Sequence, residues 1–275
     1  RKSESGIDRS VLQSILADDY QDLRNDTLSL LQVPELMIEA GLPLAEYRER
    51  VLGAVHLLAQ RGMGRLAYPE KHGGSDDPAA SVAVFETLAY GDLSVLVKFG
   101  VQFGLFGGSV HQLGTRRHHE AYLGPIGSLA LPGCYAMTET LHGSNVRDLE
   151  TTASYNHADR SLLVHTPTEG AGKDYIGNAA LHGQLATVFA RLLVAGDDHG
   201  VHAVLVPVRS PDGTVCHGVR IEDRGLKAGL NGVDNGRMWF DQVAVPVENL
   251  LDRFATIDDN GHYQSPIPSS GRRFF

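Results

Sequence analysis

Three glycine-rich segments contain most of the residues that could bind a polar ligand. They span residues 135–146, 173–182 and 225–239, and each combines glycines with small polar side chains. Such segments can present backbone N–H groups and hydroxyls to a ligand. Glycine and asparagine also dominate ordinary β-turns, so plain turns are the competing interpretation of each segment.

The histidines are the other candidates for chemistry, and the densest group is His118-His119-Glu120. Neighbouring side chains on a helix point about 100° apart, so these two histidines cannot easily share one metal ion. We therefore predict solvated surface histidines and no metal site. The chain also has no Gly-x-Gly-x-x-Gly turn between a strand and a helix, no phosphate-binding P-loop and no Gly-x-Ser-x-Gly elbow. This disfavours a Rossmann site and the usual serine hydrolases.

Composition sets broad limits on the protein. The chain has 275 residues, 42% of them hydrophobic and 21% charged, which is ordinary for a globular protein of one large or two smaller domains. Its formal net charge of -9 argues against a nucleic-acid surface. We find no apolar run of the roughly 18 residues that span a membrane, and predict no membrane span. Cys134 and Cys216 are far apart and are interpreted as reduced thiols of an intracellular protein.

Two kinds of element must position the glycine-rich segments. The sequence predicts helices over 44–63 and 78–90, and a buried helix over 94–113, a run that is apolar on nearly all faces. Thr115 is a good N-cap for a helix over 116–123. The glycines within 94–113 make sense if another backbone or a ligand packs closely there. Short β-prone runs follow, at 134–138, 151–155, 161–166, 186–194, 201–208, 219–221 and 238–245. Pro207 places the run 201–208 near a sheet edge.

The predicted fold class is therefore α+β. An all-helical domain over 1–133 precedes an antiparallel β-barrel or sandwich over 134–250, and residues 251–275 begin a further segment.

Several sequence runs closely resemble the signatures of the acyl-CoA oxidases, within the acyl-CoA dehydrogenase superfamily. They are CYAMTE, HGSNVR and LETTA between 134 and 153, GLNGVDNGR and WFD between 229 and 241, VP at 245–246, ENLLDR at 248–253, and QFGLFGG at 102–108. They occur in order and cover most of residues 100–253. The first 60 residues resemble the family only weakly.

The resemblance implies an FAD site between the β-domain and a C-terminal helical bundle, a bundle that we expect this chain to lack. It implies that Thr138 hydrogen-bonds the isoalloxazine ring, although a β-strand threonine without a ligand is the plain alternative. Ser144 would lie near both the flavin phosphates and the acyl-CoA chain, so it is also a substrate-binding candidate. The implied cofactor-binding residues are Tyr135, Met137, Thr138, Ser144, Tyr175, Ile176 and Gly177.

One position in this site departs from the family pattern. Where many relatives carry tryptophan, this chain has Asp174 and Tyr175. Tyr175 still offers an aromatic face to the ring. Asp174 has no evident role: it points away from the ring or it alters the pocket.

The resemblance also implies a reaction, the FAD-dependent oxidation of fatty acyl-CoA to trans-2-enoyl-CoA with reduction of O₂ to H₂O₂, as in fatty acid β-oxidation. The family's proton-abstracting glutamate lies in the C-terminal bundle, so we expect no catalytic residue in this chain. Glu139 and Glu150 are expected in other roles. As the N-terminal part of a longer enzyme, the chain alone should show little or no turnover and weak FAD affinity at best.

Partners and alternatives follow from the same resemblance. The full-length protein would bind fatty acyl-CoA and form a homo-oligomer, in the cytoplasm of a bacterium or the peroxisome of a eukaryote. One alternative is an acyl-CoA dehydrogenase that passes electrons to a flavoprotein partner. Another is a non-catalytic binding module without the bundle, for which the chain end at Phe275 is the only support.

Overall fold

The computed structural model describes Gly6 and residues 8–267, so the predicted segment over 251–275 lies partly outside the described residues. Helices fill the first half and strands the second, as predicted. The helices are α1 (Arg9–Ala17), α2 (Gln21–Leu30), α3 (Leu44–Gln60), α4 (Pro78–Leu88), α5 (Leu93–Phe99), α6 (Gly107–Leu113), α7 (Arg116–His118) and α8 (Gly124–Gly127).

Helix α3 illustrates how the sequence forms the helical domain. It follows Pro43 and ends at Gln60, three residues before the predicted end, since Gly62 then takes a left-handed conformation with φ of 78°. Its apolar stripe is buried as predicted and consists of Val51, Ala54, Val55, Leu58 and Ala59. The stripe packs in one cluster with residues of α4 and α5 such as Val84 and Phe99.

The predicted buried helix near residue 100 is a single 21-residue element, Leu93–Leu113. Helices α5 and α6 are its ends, and Gly100–Phe106 between them is π-helical. Contrary to the sequence prediction, this element is long and apolar enough to cross a membrane. It behaves as a core helix, because its polar Lys98 and Gln102 are buried and hydrogen-bonded inside the protein.

The histidine prediction was wrong for His118, which is buried with only 2% of its surface exposed. Its ring accepts the N–H of Thr115 on Nδ1 at 3.0 Å and bonds the Glu248 carbonyl through Nε2 at 2.9 Å. Burial lowers the pKa of His118, which favours this neutral form. Across Gly6 and residues 8–267, no group of three or more His, Cys, Asp or Glu side chains is placed to hold a metal ion.

The β-domain contains two larger sheets and a small hairpin. The main sheet has the order β1-β5-β2-β3-β9, with β6 also paired to β5, and the second has the order β4-β8-β7. The strands are β1 (Gly133–Ala136), β2 (Thr152–Asn156), β3 (Ser161–His165), β4 (Lys173–Ile176), β5 (Leu185–Val194), β6 (Asp197–Pro207), β7 (Val219–Asp223), β8 (Gly236–Phe240), β9 (Val243–Pro246), β10 (Thr256–Ile257) and β11 (Tyr263–Gln264).

The main sheet is mixed rather than antiparallel, which corrects the sequence prediction. Strands β1 and β2 both run parallel to β5, one after the other along its same side. Strand β6 runs antiparallel along the other side of β5. Among the described strands β6 pairs with β5 alone, so the predicted edge position of Pro207 is confirmed.

Two further strand predictions need correction. Residues 173–176, predicted as part of a loop, form β4, which pairs with β8. The run 238–245, predicted as one strand, is split between β8 and β9 because Gln242 adopts a left-handed conformation with φ of 51°.

Candidate functional site

The predicted flavin-binding residues fall in two stretches, 135–144 and 175–177, and these stretches lie side by side. The N–H of Asp174 donates to the carbonyl of Thr138 at 3.0 Å, and Glu139 forms an antiparallel bridge with Lys173. These contacts join the end of β1 to β4. A wide separation would have excluded the predicted site, and it does not occur.

A cavity of about 630 Å³ lies between the helix Leu93–Leu113 and the main sheet. Its volume is within the range of about 300–1,000 Å³ that is typical of small-molecule pockets. Three of the predicted site residues line it: Tyr135, Met137 and Ser144. Tyr135 packs against Phe189, which also lines the cavity, with ring centroids 4.8 Å apart.

Residues of the helix Leu93–Leu113 form the facing wall of the cavity. Among them are Gly104, one of the glycines at which the sequence predicted close packing or a ligand, and Ser109, which the sequence did not single out. The glycines of this helix serve two purposes. A side chain at Gly100 or Gly107 would collide with Phe85 or Tyr68, so these glycines allow close packing. A Cβ at Gly104 would meet nothing within 4 Å, so this glycine leaves room in the cavity.

The other four predicted residues do not line this cavity. Thr138 follows the cavity residue Met137, but only its backbone contact to β4 is defined. Ile176 is buried in the core of the β-domain. A Cβ at Gly177 would lie 2.9 Å from Val101, so packing against the helix is enough to require glycine there. Their contacts with a flavin remain predictions.

Tyr175 is the fourth of these residues, and its backbone is unusual. Its φ of 56° lies in the left-handed region, which bulky side chains rarely adopt. The side chain is 57% exposed, and the guanidinium of Arg224 lies over its ring at 4.5 Å. Strand β4 therefore presents an aromatic ring to solvent at Tyr175.

Asp174 has a clear structural role that the sequence did not reveal. Its carboxylate lies 3.3 Å from Arg224 and 3.4 Å from Arg237, and it accepts the N–H of Tyr175 at 2.8 Å. It thus fixes the part of β4 that exposes Tyr175 and holds Arg224 above the ring. A sequence signal exists only in retrospect, as one arginine on β8, which pairs with β4, and one that directly follows β7.

Glu139 is part of a buried ion pair. Both side chains of the pair are fully buried, and Lys173 Nζ lies 3.0 Å from Glu139 Oε1. The lysine also donates to the carbonyls of Met137 and Phe189 at 3.0 and 2.7 Å. The carboxylate accepts the N–H of Thr151 at 2.9 Å. The pair thus fixes the backbone at the cavity residues Met137 and Phe189.

The charges of this pair agree with a structural role. Burial raises the pKa of Glu139, but Lys173 and the N–H donors outweigh it, so the pKa is lowered overall. Burial lowers the pKa of Lys173 to about 8, although Glu139 opposes that change. Glu150 bonds Thr168 at 3.1 Å and likewise lies outside the cavity lining.

A second buried ion pair joins the helical domain to the other two glycine-rich segments. Lys98 Nζ lies 2.5 Å from Asp234 Oδ1 and 2.7 Å from Asn178 Oδ1. Asp234 also accepts the N–H groups of Leu181 and His182 at 3.0 Å each. Burial raises the pKa of Asp234, but the hydrogen bonds and charges of His182 and Lys98 outweigh burial. The pKa is therefore lowered overall, and the carboxylate stays charged.

The comparisons with known families agree with this arrangement. Residues 37–129 match the family model described as acyl-CoA dehydrogenase, N-terminal domain, and residues 134–243 match acyl-CoA dehydrogenase, middle domain. This chain belongs to the acyl-CoA dehydrogenase and oxidase family. The junction of the two family matches falls between α8 and β1.

Several proteins that are similar in sequence to this chain are described as acyl-coenzyme A oxidases. The chain is 40% identical to the peroxisomal acyl-coenzyme A oxidase 2 of Arabidopsis thaliana over 249 residues, covering 88% of this chain and 35% of that protein. It is 42% identical to the acyl-coenzyme A oxidase-like protein of Mus musculus over 189 residues, covering 69% of this chain and 30% of that protein. The chain thus spans about a third of the length of these relatives.

Solved structures of the family share the fold. Acyl-CoA oxidase 1 from Yarrowia lipolytica has a TM-score of 0.84 at 29% identity, over 95% of this chain and 37% of that one. Acyl-CoA oxidase-2 from Caenorhabditis elegans, solved with FAD, ascaroside-CoA and ATP, has a TM-score of 0.78 at 25% identity, over 94% of this chain and 39% of that one.

Proposed function

We propose that this chain is the flavin- and acyl-binding part of an acyl-CoA oxidase. The enzyme would oxidise fatty acyl-CoA to trans-2-enoyl-CoA and reduce O₂ to H₂O₂. The observation that carries the proposal is the cavity lined by Tyr135, Met137 and Ser144 beside the hydrogen-bonded junction of β1 and β4. The similar oxidases of plants and yeast support the same reaction.

The residues present fit an FAD ring system. Tyr175 offers an exposed aromatic face, and its strained backbone positions the ring in advance. The exposed Ser144 can donate a hydrogen bond to a phosphate or carbonyl. Bound flavin would supply the hydride acceptor of the reaction. We propose that Thr138, Ile176 and Gly177 complete its binding site.

The cavity residues have defined tasks in this reaction. Tyr135, Met137 and Phe189 exclude water from the acyl chain. This exclusion strengthens the hydrogen bonds that the thioester carbonyl accepts during the reaction. The Glu139–Lys173 pair holds the backbone of Met137 in place. No aspartate or glutamate lines the cavity within the described part of the chain, so these residues bind and orient the substrate without removing its α-proton.

Activity assays test the proposal directly. For the gene product that contains this chain, we expect fatty acyl-CoA to bleach the flavin absorbance in the absence of O₂, and under air to release H₂O₂ without an added electron acceptor. The 275-residue chain alone should release no H₂O₂, because its cavity lacks a base. Turnover only with an artificial acceptor would favour a dehydrogenase. An absence of both activities, with no acyl-CoA binding, would contradict the proposal and favour a non-catalytic module.

The cellular setting is also proposed by similarity. Two plant relatives and one human relative are described as peroxisomal. We propose a peroxisomal location and a homo-oligomeric full-length enzyme. Subcellular fractionation and light scattering would test these two statements.

A further inference from the structure

Arg147 places a positive charge on the wall of the proposed acyl cavity. Four consecutive residues line the cavity here, Ser144, Asn145, Val146 and Arg147. The segment is well anchored, because Val146 packs against a buried cluster and Leu149 is fully buried within it. A one-turn 3₁₀ helix, Val146–Asp148, fixes the backbone. The arginine is thus held at a defined place on the wall.

The Arg147 guanidinium has no protein partner among the residues that the structure describes. The neighbouring carboxylate of Asp148 instead accepts a hydrogen bond from Asn145 Nδ2 at 2.6 Å. The nearby Arg191 of β5 is different, since it forms an ion pair with Asp198. Five N–H donors of Arg147 therefore remain available to a ligand.

The surroundings indicate what kind of ligand group would meet this charge. Arg147, Ser144 and Asn145 are exposed, whereas Phe189 and Val201 on the same cavity wall are 1% and 7% exposed. The cavity thus has a buried apolar end and an exposed polar end. A ligand that matches both ends has an apolar chain and an anionic group, and the planar guanidinium suits phosphate in particular.

We propose that Arg147 binds a phosphate group of the nucleotide ligand at this site. The inference rests on the proposed function, under which acyl-CoA and FAD both occupy the region, and each contains a pyrophosphate. Both sources offer the same chemistry to the arginine, and binding measurements can distinguish them.

The test uses the gene product that contains this chain, and its Arg147→Gln variant, with four ligands, by isothermal titration calorimetry. They are dodecanoyl-CoA, dodecanoyl-dephospho-CoA, S-dodecanoyl-pantetheine, which has no phosphate, and FAD. Loss of a charge-assisted hydrogen bond should weaken binding of the phosphate donor roughly tenfold or more. Binding of the pantetheine thioester should not change. Affinity lost only for FAD would assign the phosphate to the flavin, and affinity lost only for the CoA esters would assign it to the substrate.

Three further measurements separate recognition from structure. Arg61→Gln removes an exposed arginine that does not line the cavity, and it should leave all four affinities unchanged. In Arg147→Gln, the affinity for the phosphate-bearing ligand should depend less on salt than in the unaltered gene product. If both variants have the same thermal unfolding midpoint as the unaltered protein, their fold is intact.

The proposal has a clear point of failure. If Arg147→Gln binds every ligand as the unaltered gene product does, or loses the pantetheine thioester equally, Arg147 does not recognise phosphate. If the unaltered gene product itself binds neither FAD nor any acyl thioester, the proposed function fails first, and the arginine proposal fails with it.

Discussion

Gly104 is the residue at which the proposed substrate can be tested by shape alone. Its missing side chain leaves open space in the cavity wall, so Gly104→Leu should fill part of the cavity without a clash. We expect long acyl-CoA esters to lose affinity about tenfold, while short esters bind as before. Replacing a helical glycine should also stabilise the helix by up to about 1 kcal/mol. Calorimetric titration with esters of increasing chain length, together with thermal unfolding, would measure both effects.

Gly53 provides the matched control for that substitution. It lies on the exposed side of α3, and a Cβ there also meets nothing within 4 Å. Gly53→Leu should therefore change stability slightly and leave the chain-length profile unchanged. If Gly104→Leu shows the same profile as Gly53→Leu, the cavity does not hold the acyl chain.

At this scale the sequence predicted the binding residues better than the residues that support them. Tyr135, Met137 and Ser144 line one cavity because a single local motif includes them all. Asp174 could not be explained from sequence, because its two arginine partners come from β8 and from the residue after β7. Only the fold brings them together.

Among the elements, α3 and β7 are joined by a salt bridge that should make stability depend on pH. Arg48 is 3% exposed and donates to Asp223 Oδ1 at 2.8 Å. This hydrogen bond lowers the pKa of Asp223 below its usual 3.8. The stabilisation is therefore present above pH 3.8 and is lost as the pH falls through the folded pKa.

The variant Asp223→Asn tests this link between elements. At pH 7 it should lower the free energy of unfolding by about 1–2 kcal/mol, a discounted value because the carboxylate is half-exposed to solvent. At low pH, where Asp223 is protonated in both states, the difference should nearly vanish. Urea denaturation at the two pH values would measure it.

The neighbouring Glu222 supplies the control on the same strand. It forms an exposed ion pair with Arg220 at 3.3 Å, so Glu222→Gln should change stability by no more than about 0.5 kcal/mol. Equal losses in the two variants would show that burial of Arg48 adds nothing to the link.

Sequence periodicity predicted that most elements exist but not how they pair. Short β-prone runs mark β1, β2 and β5 as strands, yet such runs suit parallel and antiparallel neighbours alike. The parallel pairs arise because separate segments of the chain return to one side of β5. Strand β4 was missed because its four residues, Lys173–Ile176, include a charged pair and end next to glycine.

For the whole molecule, the Lys98–Asp234 pair is the most deeply buried ion pair between the helical domain and the β-domain among the residues that the structure describes. Their side chains are 2% and 0% exposed. Lys98→Met should remove the partner of a buried carboxylate and cost about 3–5 kcal/mol of unfolding free energy. Urea denaturation would measure the loss.

A double variant separates the pair from its surroundings. Lys98→Met with Asp234→Asn replaces the buried carboxylate with a neutral amide, whose oxygen can still accept the N–H of Leu181 or His182. The two changes should therefore cost less together than the sum of the single variants, by at least about 1 kcal/mol. Strict additivity would show that the two charges do not stabilise each other.

The helix Leu93–Leu113 contributes to the helical core through Phe99, to the domain boundary through Lys98 and to the cavity through Gly104. Its binding surface is therefore complete only after the β-strands have assembled against it. During synthesis, a chain that has emerged only as far as this helix can bury one of its faces but cannot yet retain a ligand. Ligand capture would then have to wait until the β-domain has folded onto this helix.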